Sequence, residues 1–523
     1  MNEYIKKARL FLEEEQIDYL LVNSTNEFLV EYNDLQKNSR YFLTGFTGST
    51  GDAIVSKDNV YLFVDGRYHI QADLEVNHDD ITVIKMDSAT LLEELTNVIE
   101  ENATLGICSK KNSKYRLDNI QKALKEKNIT IKLFDKDPIE QTLSVNNQHL
   151  TEIPIELSGK STSDKIEDIR KNLNDQEALL ITNLEDLSYI YNLRNFDKEN
   201  SCSIEGKAII TKNENILFKD ETLNNFENYV RNLSDINKIY LNEAYTSAYD
   251  YNLIKDKAKK SEIDIPRFIK TDKEIEHYKD CFKRTDKALM STREYIYEND
   301  NISEYDIKTA LEDNFKKNGA KCQSFTSIVA IDKNSALAHY SKSSKNEILK
   351  DGSLVLIDCG GYYAGGLATD TTRVFVKGKP SELHKKVYTT VLKAFLKAFN
   401  IQNFDCGFDI DCTAREFLKK NSPEGFVFNH GLGHGIGISV HESPPTLGAI
   451  VANAFKEIKD NMCFTIEPGL YREDFFGVRL ENSCYIKDGV INSFTNMCYE
   501  EKLIDFSMLT SQEKKWLEKF EVK

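Results

Sequence analysis

The sequence predicts a mixed α/β and α+β chain, with two related α/β domains in its first half and a third domain that carries the chemistry. Three observations lead there. The 523 residues exceed what one hydrophobic core supports, so several domains are expected. A run of helix, buried-strand and hairpin signals near the N-terminus returns about 155 to 159 residues further on. Past that repeat, five potential metal ligands follow one another as Asp358, Asp370, His434, Glu467 and Glu481, each inside a short motif of its own.

Composition removes several function classes. Hydrophobic residues make up 40% and charged residues 29%, the profile of a folded soluble protein, and no apolar run approaches the length of about 18 that a membrane span needs. The opening Met1-Asn2-Glu3-Tyr4-Ile5-Lys6-Lys7 runs into an amphipathic pattern interrupted by Glu13, Glu14 and Glu15, so a cytoplasmic chain without a signal-peptide core is expected. A formal net charge of −16 argues against a nucleic-acid partner, because phosphate binding needs clustered Lys and Arg. The ten cysteines are scattered with no Cys-x-x-Cys pair, which predicts buried reduced thiols rather than disulfides or zinc ligands.

The first copy of the repeat reads Asp18-Tyr19-Leu20-Leu21-Val22-Asn23, then Ala53-Ile54-Val55 and Val60-Tyr61-Leu62-Phe63-Val64-Asp65 across a Lys57-Asp58-Asn59 turn. Its echo is Glu177-Ala178-Leu179-Leu180-Ile181-Thr182-Asn183, then Ala208-Ile209-Ile210 and Ile216-Leu217-Phe218 across Lys212-Asn213-Glu214. Apolar β-branched runs bounded by turn residues predict a buried strand followed by a two-stranded hairpin in each copy. The second copy lacks the segment Tyr41–Ser49 and the ending Asp65-Gly66-Arg67-Tyr68, so the copies have diverged in use. Pro138–Gly159, with Asn146-Asn147-Gln148 and Pro154, reads as a linker. The domains are therefore expected at 1–145, 159–268 and 269–523.

Lys270-Thr271-Asp272-Lys273-Glu274 opens a long charged helix after Pro266. Ser303 with Asp306 forms a capping-box pattern, and Ile307, Leu311 and Phe315 recur at helical spacing until Asn318-Gly319 ends the helix. After Gly352 the pattern becomes strands. Leu354-Val355-Leu356-Ile357 is a continuous apolar run that ends at Asp358, and Thr372-Arg373-Val374-Phe375-Val376 follows Asp370. Glycines 360, 361, 365 and 366 supply turns between them.

The five ligand candidates form a hard, oxygen-rich set. Four carboxylates converging without cations repel by on the order of several kcal/mol in a low-dielectric site, and a pair of bridged divalent ions relieves this better than a lone structural zinc, which favours Cys and His. His430, His434 and His441 stand within twelve residues in Asn429-His430-Gly431-Leu432-Gly433-His434-Gly435-Ile436-Gly437-Ile438-Ser439-Val440-His441-Glu442, a third of all nine histidines. Glu467 lies in Thr465-Ile466-Glu467-Pro468-Gly469-Leu470-Tyr471. Along a strand, Arg479 and Glu481 share a face, which lets the guanidinium hold a nearby carboxylate in place.

These motifs resemble those of the pita-bread metallopeptidases, whose dinuclear centre takes Asp, Asp, His, Glu and Glu in the same order. The segment Tyr41–Ser49, Asp65-Gly66-Arg67-Tyr68, Ala338-His339-Tyr340 and the ending Lys502-Leu503-Ile504-Asp505 with Trp516-Leu517 resemble the three-domain Xaa-Pro aminopeptidases (aminopeptidase P) over nearly the whole chain. The Asp358–Asp370 spacing is one residue longer than in that family, and the Asn-Pro-Val stretch expected after Leu193-Arg194 is missing.

The resemblance implies creatinase-like N-terminal domains ahead of a pita-bread catalytic domain. It also implies two divalent ions, Mn²⁺ foremost with Co²⁺ or Zn²⁺ as alternatives. Asp370 and Glu481 would bridge them, with Asp358 on one ion and His434 and Glu467 on the other. Their shared water would attack the bond before a proline in second position, releasing the N-terminal residue of a peptide substrate. By the same resemblance Glu467 shuttles the proton, His441 and His339 meet the substrate or the oxyanion, His430 lines the proline side, and Tyr471 and Arg479 support the centre. A homodimer is implied too. Alternatives are a prolidase restricted to Xaa-Pro dipeptides, a metal-free amidinohydrolase, and a non-catalytic peptide-binding module.

Overall fold

The computed structural model describes residues 2–86, 90–141, 147–448 and 452–523; residues 142–146 of the expected linker lie outside them. The chain divides into two compact units, one made of 1–148, 162–191 and 204–265, the other of 149–161, 192–203 and 266–523.

In the first unit the repeat is visible as two sheets. Strands β1 (Tyr19–Val22), β2 (Asp52–Ser56), β3 (Val60–Asp65), β4 (Thr82–Met86), β5 (Thr104–Cys108) and β6 (Thr130–Phe134) align in the order β4-β3-β2-β1-β5-β6. Strands β7 (Glu177–Ile181), β8 (Lys207–Thr211), β9 (Asn215–Phe218), β10 (Lys238–Leu241) and β11 (Ala258–Lys260) align as β9-β8-β7-β10-β11. In each, a buried central strand pairs antiparallel with a hairpin on one side and parallel with a later strand on the other. The second sheet stops at its hairpin where the first adds β4. That is the place where the sequence of the second copy lacks the Asp65–Tyr68 ending.

The second unit is built on β12 (Ile328–Ile331), β13 (Leu354–Cys359) and β14 (Thr371–Val376), in that order and antiparallel. The continuous apolar run of β13 has a direct cause. Leu354 and Leu356 face the helix Glu382–Phe399 through Val391 and Phe395, while Val355 and Ile357 face the helices Asp272–Glu298 and Glu304–Lys317 through Leu289, Leu311 and Phe315. A strand covered on both faces needs apolar residues at every position. Ser303 caps the helix Glu304–Lys317 with the reciprocal bonds of a capping box, as its sequence predicts.

A second sheet follows: β15 (Gly433–Gly435), β16 (Glu442–Leu447), β17 (Cys463–Ile466), β20 (Asn482–Lys487) and β21 (Val490–Ser493), ordered β16-β15-β17-β20-β21. Between β17 and β20 the chain forms a separate ribbon of β18 (Gly469–Arg472) and β19 (Phe476–Arg479). The segment expected to be part of a linker contains a short strand, Thr151–Glu152, antiparallel to Leu193–Arg194. Leu193-Arg194 therefore folds with the second unit, where Arg194 Nε donates to Gly366 O at 2.9 Å. Among the described residues no helix is long and apolar enough to cross a membrane, and the ten cysteines are free thiols.

Because Leu356 is only 1% exposed between two helical layers, Leu356→Ala should destabilise the protein by about 2–5 kcal/mol in denaturant unfolding. A change below about 0.5 kcal/mol would show that this strand is not at the centre of the core.

Candidate metal centre

The site forms where paired strands come apart. Asp358 is the last residue but one of β13, opposite Thr372, and Asp370 immediately precedes β14. In β17 and β20, Ile466 pairs with Asn482, so Glu467 and Glu481 are the next residues, just beyond the last rung. His434 sits in β15 where the register with β16 shifts between His434 and Gly435, a bulge that re-aims its side chain. Carboxylates at these exits escape the apolar packing of the strand interiors while their backbones stay held.

Ligand atoms of Asp370, His434 and Glu481 lie within 4.8 Å of one another. His434 Nε2 is 3.5 Å from Asp370 Oδ2 and 3.5 Å from Glu467 Oε1. Its Nδ1 is 3.0 Å from Gly435 O, which places the ring proton on Nδ1 and turns the lone pair of Nε2 toward the carboxylates.

One cation answers four carboxylates. Arg479, 3% exposed, donates from Nη2 to Asp358 Oδ2 at 2.6 Å, from Nη1 to Tyr471 Oη at 2.8 Å and from Nε to Thr372 Oγ1 at 3.1 Å, with Glu467 Oε2 4.0 Å from Nε. The sequence puts Arg479 beside Glu481; the fold puts it on Asp358. The chain turns out of β19 at Leu480, whose side chain enters the core, so Glu481 takes its hydrogen bond from Thr372 Oγ1 instead, at 2.8 Å. Four acids against this guanidinium leave a surplus of negative charge in a buried site. Asp358 Oδ1 and Glu481 Oε1 are buried with no hydrogen-bond donor. Buried carboxylate oxygens without donors fit divalent cations.

Electrostatics agree. Burial, then the neighbouring carboxylates led by Glu481, push Asp370 and Glu467 well above the ordinary carboxyl range. Burial and then Asp358 raise Glu481 to about 8. A cation bound among these groups would compete with protons for them.

The histidines expected at the substrate divide into three situations. His441 lies edge-on to His434, ring centroids 4.4 Å apart. His430 Nε2 is 2.8 Å from Tyr471 Oη, which connects it through Tyr471 to Arg479. Tyr471 reaches Arg479 by lying across Gly477, where a Cβ would stand 2.5 Å from its ring. His339 is half-buried on the connection between β12 and β13, and Ser335 of that connection exchanges hydrogen bonds with Gly477 of the ribbon at 2.8 and 3.1 Å.

Several contributors carry no role in the sequence reading. Thr372 joins Arg479 to Glu481, and Thr465 Oγ1 accepts from His434 N at 3.2 Å and lies 3.5 Å from Glu467 Oε1. Arg373 is fully buried and donates to the carbonyls of Thr372, Glu481, Met497 and Cys498, which fastens β14 to the chain at Glu481. Their adjacency to Asp370 and Glu467 in sequence is the signal that could have found them.

Comparison with known proteins bears on this arrangement. Residues 276–488 match the model of metallopeptidase family M24, and residues 5–140 and 140–355 match two models of the creatinase/prolidase N-terminal domain. The chain is 28% identical to Xaa-Pro aminopeptidase 1 of Dictyostelium discoideum, over 98% of this chain and 91% of that protein. It is 26% identical to a probable Xaa-Pro aminopeptidase P of Coprinopsis cinerea, over 99% and 93%. Its fold matches the crystal structure of an X-prolyl aminopeptidase from Caenorhabditis elegans, described as a cytosolic enzyme with a di-nuclear active site, with a TM-score of 0.90 and 22% identity over 99% of this chain and 94% of that one.

Glu481 and its neighbours yield a pH prediction. A carboxyl whose folded pKa is raised stabilises the metal-free fold below the ordinary carboxylate range, and that contribution is lost as pH rises through about 8. Metal binding strengthens over the same interval. The thermal midpoints of Mn²⁺-loaded and metal-stripped protein should therefore diverge between pH 6 and pH 8; a constant gap would contradict a proton-competitive site.

Proposed function

We propose that the chain, whose residues 276–488 match the model of metallopeptidase family M24, is a metal-dependent Xaa-Pro aminopeptidase, removing the first residue from peptides with proline in second position. The observation that carries this reading is the cluster of Asp370, His434 and Glu481, with Glu467 3.5 Å from His434 and two buried oxygens, of Asp358 and Glu481, that no donor satisfies. Two divalent ions held there would supply Lewis acidity, polarising the scissile carbonyl and acidifying a water. Asp358, Asp370, His434, Glu467 and Glu481 are the residues that would hold them.

The remaining work falls to the protein's own groups. Glu467, whose carboxyl is raised above its usual range, moves the proton from the attacking water to the proline nitrogen as the bond breaks. Arg479 orients Asp358 through its hydrogen bond, and Tyr471 holds Arg479 and His430 in line. His441, stacked edge-on to His434, and His339 donate to the developing oxyanion, and His430 borders the proline ring. A tertiary amide has no N–H, so a pocket shaped to the ring accepts proline where another residue leaves a donor unpaired.

The finer parts of the reading are manganese as the metal, a cytoplasmic location and a homodimer. The di-nuclear, cytosolic description of the Caenorhabditis elegans enzyme supports two ions and that location. Restriction to dipeptides and a metal-free binding role are both disfavoured, since the relatives bear aminopeptidase names and Asp370, His434 and Glu481 cluster as a metal site would.

Metal-stripped protein should be inactive on an Xaa-Pro-Xaa tripeptide and regain activity with Mn²⁺, with an Xaa-Pro dipeptide cleaved more slowly. Asp370→Ala should lose both the metal and the activity. Full turnover by that variant, with elemental analysis on the same sample, would refute the assignment.

A further inference from the structure

Next to His441 in sequence stands Glu442, a carboxylate that the centre does not use and that is surrounded by charge of its own. Its side chain is 2% exposed. Arg267 Nη1 lies 2.9 Å from Oε1 and Lys270 Nζ 3.0 Å from Oε2, and both cations are as deeply buried as the acid, at 4% and 3%. The cations lower its pKa against the effect of burial, so it is ionised. Lys270 also donates from Nζ to Arg267 O at 2.6 Å, and its backbone N–H bonds Asn461 O at 2.9 Å, next to β17. The two cations are therefore fixed to the sheet that carries His434 and Glu467.

Glu442 uses this anchorage to close a loop. Ile438 N donates to its Oε1 at 2.9 Å, so the chain leaves β15, rounds the carboxylate and returns to it within a few residues. At Gly437 a Cβ would stand 2.3 Å from the carboxyl carbon, so the loop is wrapped directly on the acid. Its outer side is held as well: Ala368 N donates to Gly437 O at 2.7 Å and Tyr362 Oη donates to Ile438 O at 2.9 Å, both from the turn between Asp358 and Asp370. His441 is the residue this loop presents, one peptide from the acid, with its ring 4.4 Å from that of His434. Burying two cations and an acid is a poor way to gain stability compared with apolar packing. It is an effective way to fix the direction of a backbone from three sides.

We infer that Glu442, clamped by Arg267 and Lys270, is a positioning residue for His441. It acts on the reaction only through the placement of that imidazole, and the inference rests on the peptidase reading above. The catalytic constellation then includes a charged support outside the metal ligands, contributed by the stretch of chain just before the long helix Asp272–Glu298.

A double-mutant cycle tests it, with hydrolysis of an Xaa-Pro-Xaa peptide, metal content and thermal midpoint measured on each Mn²⁺-loaded protein. Glu442→Gln keeps the volume and an acceptor for Ile438 N but removes the charge. It should lower kcat/KM by about tenfold or more, in line with the sensitivity of catalysis to small displacements, while metal content stays at the wild-type value. His441→Ala should lose more, and the double variant should match His441→Ala within about twofold. Lys270→Met reaches the same carboxylate from the other segment and should show the same dependence on His441, which serves if Glu442→Gln does not fold. Multiplying losses in the double variant, an unaffected His441→Ala, or lost metal in Glu442→Gln would each overturn the inference. An inactive wild-type protein would instead overturn the peptidase reading on which it depends.

Discussion

The surplus of negative charge around Asp370 is the constraint on which the rest of the catalytic unit depends. Asp358, Asp370 and Glu481 are buried and Glu467 largely so, with Arg479 bonded to Asp358 and 4.0 Å from Glu467. In such surroundings two carboxylates a few ångströms apart cannot both stay ionised without help. Much of the local architecture distributes that help. Thr372 relays Arg479 to Glu481, Thr465 serves His434 and Glu467 together, and Arg373 spends its donors on backbone carbonyls, which fixes Glu481 by its main chain and leaves its carboxylate open. Donors are supplied to one oxygen of Asp358 and one of Glu481 and withheld from the other. That asymmetry prepares the site for cations.

The fold follows from where such acids can stand. A carboxylate within β13 would face a helical layer on either side, since successive residues of that strand are buried in opposite cores. The acids therefore appear at or near strand ends: Asp358 one residue before the end of β13, Asp370 before β14, and Glu467 and Glu481 one step past the last rung of β17 and β20. Two sheets whose ends point to one place supply the ligands from four different strand exits. The bulge at His434 adds the imidazole without an exit of its own.

This is also why the site was so legible in the sequence. An acid after an apolar run, beside glycine or proline, is a local pattern, and each ligand carries one. The hairpin repeat of the first half was equally local, as were the capped helix at Ser303 and the apolar β13. What escaped has no local signature. Arg267 and Lys270 reach Glu442 across more than half the catalytic domain's sequence, and nothing in Pro266-Arg267-Phe268 marks it. The strand Thr151–Glu152 pairs with Leu193–Arg194 across an intervening stretch of the other unit, so a polar segment with Pro154 reads as a linker. Strand alternation puts Arg479 and Glu481 on one face and leaves open which carboxylate the guanidinium holds; β19 ends at Arg479, and the carboxylate it bonds is Asp358.

Glu304 shows that acids in this domain fall into two kinds. It is fully buried, yet four donors reach it: Ile331 N at 2.7 Å and Asn334 Nδ2 at 2.9 Å on one oxygen, Tyr340 Oη at 2.6 Å and Ser344 N at 2.8 Å on the other. Those donors come from both sides of His339, so the carboxylate gathers the connection that carries this histidine much as Glu442 gathers the loop that carries His441. Glu304 and Glu442 accept donors on their oxygens and so hold the segments that carry His339 and His441, whereas Asp358 and Glu481 each keep one buried oxygen without a donor.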